Sequence, residues 1–140
     1  MIQLTYHRQE ARALDINIRE ISTEALAYLG DAVLEIRVRE SLVGRKISGS
    51  GALNREALGY VKASAQAEAM TRLLPLLSDA EMQIYKRGRN MSGGNVPKSS
   101  TMSEYRTATG MEVLFGYLHL LGRTDRIDEL FSLAYPEKTQ

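Results

Sequence analysis

Several residue types that would indicate particular structures are rare or missing in this chain of 140 residues. It contains no cysteine, so it can form neither a disulfide nor a thiolate metal site. No run of apolar residues approaches the roughly 18 that a membrane-spanning helix requires. The charged first twenty residues lack the apolar stretch of a secretory signal. We therefore expect a cytoplasmic protein without a membrane partner.

Strand patterns of alternating polarity are absent as well, whereas apolar residues recur at helical spacing along most of the chain. An apolar content of 44% with 25% charged residues is typical of a globular protein, and this length suits one domain better than two. We predict an all-α fold with a single core at residues 22–134. Residues 1–21 are expected to form an N-terminal arm or short helix, and residues 135–140 a tail.

Capping residues and glycines predict where the helices begin and end. The first long pattern runs from about Ser22 to Leu42, with Gly44 as a plausible C′ glycine. Two later helices begin with capping boxes, in which a Ser or Thr and a Glu three residues on cap each other. Further helical patterns follow at 52–60 and at 62–77, the second with a break at Pro75. Another begins at 78 and continues into Lys86–Asn90, and the next covers 102–121 and is ended by Gly122. The last helix is capped by Thr124 and Asp125 and ends near Ala134.

The first long helix carries an aspartate in an unexpected setting. Leu26, Leu29, Val33 and Ile36 form one apolar stripe at helical spacing. Asp31 falls on a largely apolar flank, where a carboxylate loses hydration and needs a partner or a cation. The preceding Gly30 costs about 1 kcal/mol in a helix relative to alanine, which suggests that another backbone approaches closely beside the acid.

A second carboxylate, Glu112, lies on the long helix that begins near Met102, one turn from Gly116. If the two helices face each other, the carboxylates repel and raise each other's pKa unless a cation lies between them. Mg²⁺ prefers oxygen ligands and uses one or two protein carboxylates together with water and phosphate. The sequence leaves open whether Asp31 has this role or is a structural acid.

The charges of the chain sum to only +1, but they are unevenly distributed. From Met82 to Ser103 there is no acid, whereas Lys86, Arg87, Arg89 and Lys98 fall within this window. Cationic side chains and flexible glycines together are typical of a phosphate-binding segment. A solvated surface loop is the alternative interpretation of these charges.

Two stretches carry a resemblance to a known family. Glu24-Ala-Leu-Ala-Tyr-Leu-Gly-Asp31-Ala-Val-Leu34 resembles the signature helix of the ribonuclease III family, E-x-L-E-F-L-G-D-A-V-L, and Thr109-Gly-Met-Glu112-Val-Leu-Phe-Gly116 is similar to the family's second acidic helix. The basic segment Lys86-Arg-Gly-Arg-Asn90 with Lys98 is similar to that of the small branch called Mini-ribonuclease III. The resemblance extends from about residue 22 to about residue 132.

This resemblance implies a dimeric endoribonuclease that cleaves double-stranded RNA with Mg²⁺. Asp31 and Glu112 are then the catalytic and metal-binding residues, with Glu24 and Thr109 as secondary candidates. The positions of Ala27 and Thr109 are acidic in the larger relatives, so a cluster of four carboxylates is not expected here. The residues implied to contact RNA are Lys86, Arg87, Arg89, Asn90, Lys98, Tyr105 and Thr107, with Arg106 as a further contact to the backbone.

The resemblance also implies a homodimer in which the signature helix contributes to the contact between subunits. Tyr28 and Leu29 then belong to that contact, whereas ordinary core packing is the alternative for both. We expect no double-stranded-RNA-binding domain, and the implied role is maturation of the 23S ribosomal RNA precursor, with a ribosomal protein as a candidate partner. The competing hypotheses are a non-catalytic helical module that binds double-stranded RNA and a helical scaffold that binds protein.

Overall fold

Six α-helices make up most of the described part of this computed structural model, which comprises residues 17–91, 96, 98 and 100–136. They are α1 (Thr23–Gly44), α2 (Ser50–Val61), α3 (Ala63–Leu73), α4 (Asp79–Arg89), α5 (Met102–Leu120) and α6 (Thr124–Ala134). Short 3₁₀ turns precede α1 at Ile18–Glu20 and follow α3 at Leu74–Leu76, where Pro75 ends the longer helix as predicted. The described residues contain no strand, so the all-α prediction is confirmed.

Side-chain caps begin three of these helices. The Ser22 hydroxyl accepts a hydrogen bond from the Ala25 amide at the start of α1. Both predicted capping boxes are confirmed, because each Glu carboxylate and each hydroxyl accepts its partner's backbone N–H at the starts of α4 and α5. The predicted cap of the last helix is wrong: Arg123 occupies the cap position without a side-chain hydrogen bond, and Thr124 is the first helical residue.

The predicted end of α1 is also wrong. Gly44 is still helical, and the left-handed position falls on Lys46, with φ of 61°. The Ile47 amide donates to the Leu42 carbonyl at 3.2 Å, which closes the helix end in a Schellman-like turn. Gly122, by contrast, has φ of 73° and ends α5 as predicted. The chain thus turns at Lys46, two residues after the glycine that was predicted to end the helix.

Helix α5 lies at the centre of the fold and packs against α1, α3, α4 and α6. Because neighbours cover it on several sides, it is apolar around most of its circumference. Its buried side chains include Met111, Leu114, Phe115 and Leu118. The core continues into α1, α3 and α6, whose buried side chains include Leu34, Val38, Met70, Leu73, Ile127 and Phe131.

Two pairs of glycines let the helices around α5 approach backbone to backbone. A Cβ added at Gly30 of α1 would lie 2.9 Å from the Gly116 nitrogen of α5 and closer still to the Glu112 carbonyl. In the same way, Gly88 of α4 faces Gly110 of α5, where a Cβ would lie 2.8 Å from the Gly110 Cα. The close approach that the helical Gly30 suggested is confirmed.

The buried face of α1 differs from the predicted stripe. It carries Leu26, Gly30, Val33 and Val38, whereas Ile36 is 54% exposed. Contact through the side-chain-free surface of Gly30 turns this face of α1 towards α5, and Ile36 then points away from the core.

The ends of the chain are only partly described. Residues 1–16 of the predicted arm and residues 137–140 of the predicted tail lie outside the described residues. Tyr135, which the prediction assigned to the tail, belongs to the core: it is buried against Tyr60 and Phe131, and its hydroxyl donates to the Tyr60 carbonyl at 2.9 Å. Burial raises the pKa of the Tyr135 hydroxyl above its ordinary value.

Candidate active site and nucleic-acid interface

The crossing of α1 and α5 brings Asp31 and Glu112 together. Gly30, immediately before the aspartate, abuts the backbone carbonyl of Glu112 and the amide of Gly116. The two carboxyl groups consequently lie within hydrogen-bonding reach of each other. Sequence reasoning named both residues but could not show that they meet, because 80 residues separate them along the chain.

The two carboxyl groups of this pair differ in their exposure to solvent. Burial, the negative charge of Asp31 and a hydrogen bond to Asp31 together raise the pKa of the Glu112 carboxyl to about 8, and burial is the largest of these causes. Asp31 itself is exposed, so the expectation that it loses its hydration is wrong. The contact with α5 is made by the Gly30 side of the helix, and it is the glutamate that becomes desolvated. Near neutral pH the Glu112 carboxyl of the metal-free protein is therefore mostly protonated.

The secondary candidates do not join the pair. Within the described residues, no group of three or more histidine, aspartate or glutamate side chains gathers in a way that could hold a metal ion. Glu24 lies exposed in the first turn of α1. Thr109 is buried one turn before Glu112, and its hydroxyl donates to the Tyr105 carbonyl at 3.0 Å. Among the described residues, the acidic site thus consists of two carboxylates.

Much of the predicted basic loop is helical. Lys86, Arg87 and Arg89 occupy the last turn of α4, where positive charge also complements the helix dipole. Arg87 is engaged within the protein: its guanidinium donates to the Ile21 carbonyl at 2.9 Å and to the Thr23 hydroxyl at 3.2 Å. Arg87 thus ties the end of α4 to the start of α1, and its contact with RNA stays a prediction.

The end of α4 and the beginning of α5 enclose a surface cleft of about 420 Å³. Its lining residues are Arg89, Asn90, Met102, Ser103, Arg106 and Thr107. Four of the residues predicted to contact RNA are thereby brought to one place, namely Arg89, Asn90, Arg106 and Thr107. The Arg89 guanidinium lies 5.8 Å from the centre of the Tyr85 ring, and its Nε donates to the Asn90 side chain.

Comparisons with known proteins agree with this geometry. The ribonuclease III domain family matches residues 24–123, a range that includes both acids and the cleft. The chain belongs to the Mini-ribonuclease III branch of the ribonuclease III family. It is 45% identical over 109 residues to Mini-ribonuclease 3 of Symbiobacterium thermophilum, covering 78% of this chain and 84% of that protein.

Further relatives support the same membership. Mini-ribonuclease 3 of a Thermoanaerobacter species is 40% identical over 117 residues, covering 84% of this chain and 82% of the relative. A crystal structure of a Fusobacterium nucleatum protein superposes with a TM-score of 0.77 at 29% identity, covering 83% of this chain and 94% of the other. The predicted ribonuclease III fold and the predicted endoribonuclease class are thus confirmed. No described helix is both long and apolar enough to cross a lipid bilayer.

The remaining RNA-contact candidates of this Mini-ribonuclease III have different surroundings. Lys86 and Lys98 are exposed, whereas Tyr105 is partly buried and does not line the cleft. Residues 92–95, 97 and 99 of the predicted basic loop lie outside the described residues. Met102 and Ser103 were not among the predicted contacts. Their proximity to Arg89 depends on the packing of α4 against α5, for which no local sequence signal exists.

An exposed apolar stripe runs along α1 on the side opposite the core. It comprises Tyr28, Ala32, Ile36 and Val43, and Tyr28 is 86% exposed. Core packing, one alternative for Tyr28, is therefore wrong, whereas Leu29 is partly buried and packs against the core. Large exposed apolar side chains at helical spacing are typical of a protein contact surface.

Proposed function

We propose that this Mini-ribonuclease III cleaves double-stranded RNA in a magnesium-dependent reaction at Asp31 and Glu112. The observation that carries the proposal is the carboxyl pair at the α1–α5 crossing, in which burial and the charge of Asp31 raise the pKa of Glu112 to about 8. A raised pKa means that the surroundings of Glu112 disfavour its negative charge. A divalent cation supplies the opposing positive charge, and oxygen ligands from one or two carboxylates suit Mg²⁺.

The division of tasks follows from the positions of the residues. Asp31 and Glu112 would hold the metal, and the Gly30–Gly116 contact would fix the separation of the two carboxylates. Mg²⁺, when bound, polarises a phosphate and lowers the pKa of a coordinated water, which makes hydroxide available near neutral pH. No histidine or thiol is required for hydrolysis of the phosphodiester, and the expected products carry 5′-phosphates.

The proposed RNA surface consists of the end of α4 and the start of α5. Lys86, Arg89, Asn90, Lys98 and Thr107 remain candidates for contacts to the duplex, whereas Arg87 is engaged with the start of α1. Double-stranded RNA is recognised mostly through phosphates and 2′-hydroxyls, for which cations and hydroxyl groups are suitable partners.

The biological substrate is proposed from the family. The bacterial relatives share the name Mini-ribonuclease 3, which supports a role in processing structured RNA. We infer maturation of the 23S ribosomal RNA precursor in the cytoplasm, with a ribosomal protein as a candidate partner. We also propose that residues 22–134 form the catalytic core and that no double-stranded-RNA-binding domain is needed for cleavage.

Removing either carboxylate tests the proposal. Asp31→Asn and Glu112→Gln are each expected to lower the cleavage rate of an end-labelled RNA duplex at least roughly a thousandfold, because a metal site contributes several kcal/mol to the transition state. Duplex binding should persist in both variants. The matched control is Glu68→Gln, which removes an exposed acid of α3 and should cleave like the wild type.

Each outcome of this assay has a definite meaning. Cleavage by either folded carboxylate variant at the wild-type rate would contradict the assignment of the site. A folded wild type that binds duplex but never cleaves it with Mg²⁺ or Mn²⁺ would support the alternative, a non-catalytic RNA-binding module.

We further propose that the exposed stripe on α1 forms the contact of a homodimer with one site in each subunit. A two-fold dimer is the commonest arrangement for such self-complementary surfaces, and cutting both strands requires two sites. Tyr28→Glu should weaken dimerisation roughly 30-fold or more, as expected for loss of a central aromatic residue. Sedimentation equilibrium measures this, with Leu133→Glu on the exposed side of α6 as the control. A monomeric wild type would overturn the proposal.

A further inference from the structure

Two arginines from different helices line the cleft between α4 and α5, and the described lining residues include no carboxylate. Arg89 comes from the last turn of α4, and Arg106 comes from the second turn of α5. The nearest acid on α5, Glu104, accepts the Thr101 amide in the capping box at 2.9 Å. Two cations are thus brought together without a counter-charge in the lining.

The Arg106 guanidinium is exposed and makes neither a hydrogen bond nor an ion pair with the described residues, which distinguishes it from several other arginines of the chain. Arg37, Arg39 and Arg126 each pair with a carboxylate, and Arg87 binds α1. Arg89 is held over the Tyr85 ring and bonded through Nε to Asn90, which limits its freedom before any ligand arrives. The cleft is therefore bordered by one oriented guanidinium and by one that has no partner among the described residues.

The polar groups beside these arginines match the rest of a nucleotide backbone. Ser103 and Thr107 contribute hydroxyls and Asn90 an amide to the lining. Guanidinium groups bind phosphate oxygens, whereas hydroxyls and amides can exchange hydrogen bonds with a ribose 2′-hydroxyl. The donor set therefore fits the sugar–phosphate backbone of RNA.

The cleft and the carboxyl pair share helix α5. Arg106 precedes Glu112 by six residues and Ser103 precedes it by nine, which at the helical rise corresponds to roughly 9 and 14 Å along the axis of α5. These distances are the span of a few nucleotides. A backbone group held in the cleft would thus lie near the bond presented to Asp31 and Glu112.

We propose that this cleft is a subsite for one backbone phosphate of the RNA, held by Arg106 and Arg89, and that Arg106 determines which bond reaches the carboxyl pair. This inference rests on the proposed function and deepens it. Arg106 is a positioning residue here, because it would act on the scissile bond through a phosphate at a fixed distance.

A double-substitution experiment tests the subsite. Duplexes carrying a single uncharged methylphosphonate are prepared for each position near the cleaved bond, on both strands, and kcat/KM is measured for each. For the wild type, a methylphosphonate at one position should lower kcat/KM about tenfold, which is the effect of losing one charge-assisted hydrogen bond. Arg106→Ala should lower kcat/KM about tenfold on the unmodified duplex, and the same methylphosphonate should then have no further effect.

The control variant is Arg55→Ala, which removes an exposed arginine of α2 outside the cleft. It should retain the full methylphosphonate effect at the sensitive position. If the Arg106→Ala loss is the same on every modified duplex, no phosphate is coupled to this residue and the subsite is refuted.

A binding measurement separates failure of this inference from failure of the proposed function. In an Asp31→Asn background, duplex affinity is measured against salt concentration with and without Arg106→Ala. The dependence of log K on log salt should become shallower by about one when the phosphate contact is lost. An unchanged slope overturns the subsite whether or not the wild type cleaves RNA.

Discussion

Gly30→Ala is expected to destabilise the folded chain by more than about 3 kcal/mol and to abolish cleavage, because the added methyl group has no space. Its Cβ would lie 2.5 Å from the Glu112 carbonyl carbon and 2.9 Å from the Gly116 nitrogen. Both neighbours are backbone atoms of the central helix, so neither can move without displacing α5. Any relaxation would separate α1 from α5, and with them the carboxyl groups of Asp31 and Glu112.

A matched control is present on the same helix. Gly44 has no atom within 4 Å of an added Cβ, so Gly44→Ala should leave cleavage unchanged and raise stability by up to about 1 kcal/mol through helix propensity. Urea unfolding followed by circular dichroism measures both variants. If Gly30→Ala unfolds at the wild-type urea concentration and cleaves normally, the crossing does not position the carboxylates.

Stability of the metal-free protein is expected to fall as the pH rises from about 4.5 to about 8. The pKa of Glu112 is raised from 4.5 to about 8 in the folded state, so within this interval the folded chain binds a proton that the unfolded chain has released. Stability then decreases with pH, by up to roughly 5 kcal/mol for this one group. Glu112→Gln removes the ionisation, and its stability should exceed that of the wild type above pH 8 and approach it near pH 5.

Denaturant unfolding at a series of pH values, in the presence of a chelator, measures this difference. Glu68→Gln, the exposed acid used above, should follow the wild-type curve. Saturating Mg²⁺ should reduce the loss of wild-type stability at high pH, because a cation can replace the proton between the carboxylates. If the stability of the wild type and of Glu112→Gln changes with pH in the same way, the raised pKa of Glu112, caused by burial and by Asp31, is contradicted.

The local parts of this fold could be predicted because their causes lie within a few residues. A hydroxyl and a glutamate three positions apart satisfy each other's amides, so both capping boxes follow from the sequence. The end of α1 was predicted wrongly because two neighbouring residues could take the left-handed conformation there. Lys46 takes it rather than Gly44, and the Ile47 amide then donates a hydrogen bond to the Leu42 carbonyl.

The candidate site could be predicted as a set of residues but not as an arrangement. The glycine before Asp31 indicated a close helix contact, and Gly30 meets Gly116 of α5 at that contact. Which acid is desolvated depends on the side of α1 that meets α5. This packing partly buries Glu112 and leaves Asp31 exposed. The partners of Arg87 lie 64 and 66 residues away in the chain, and no periodicity within α4 announces them.

The sequence by itself determined the helical class, most helix starts, and the identities of the two acids and of the basic segment. These depend on composition and on interactions within one or two helical turns. The tertiary structure alone decided the pairing of Asp31 with Glu112, the exposure of Tyr28 and the cleft that unites Arg89 with Arg106. Burial and charge coupling depend on which surfaces of distant helices meet, and that is set by the packing of the whole core.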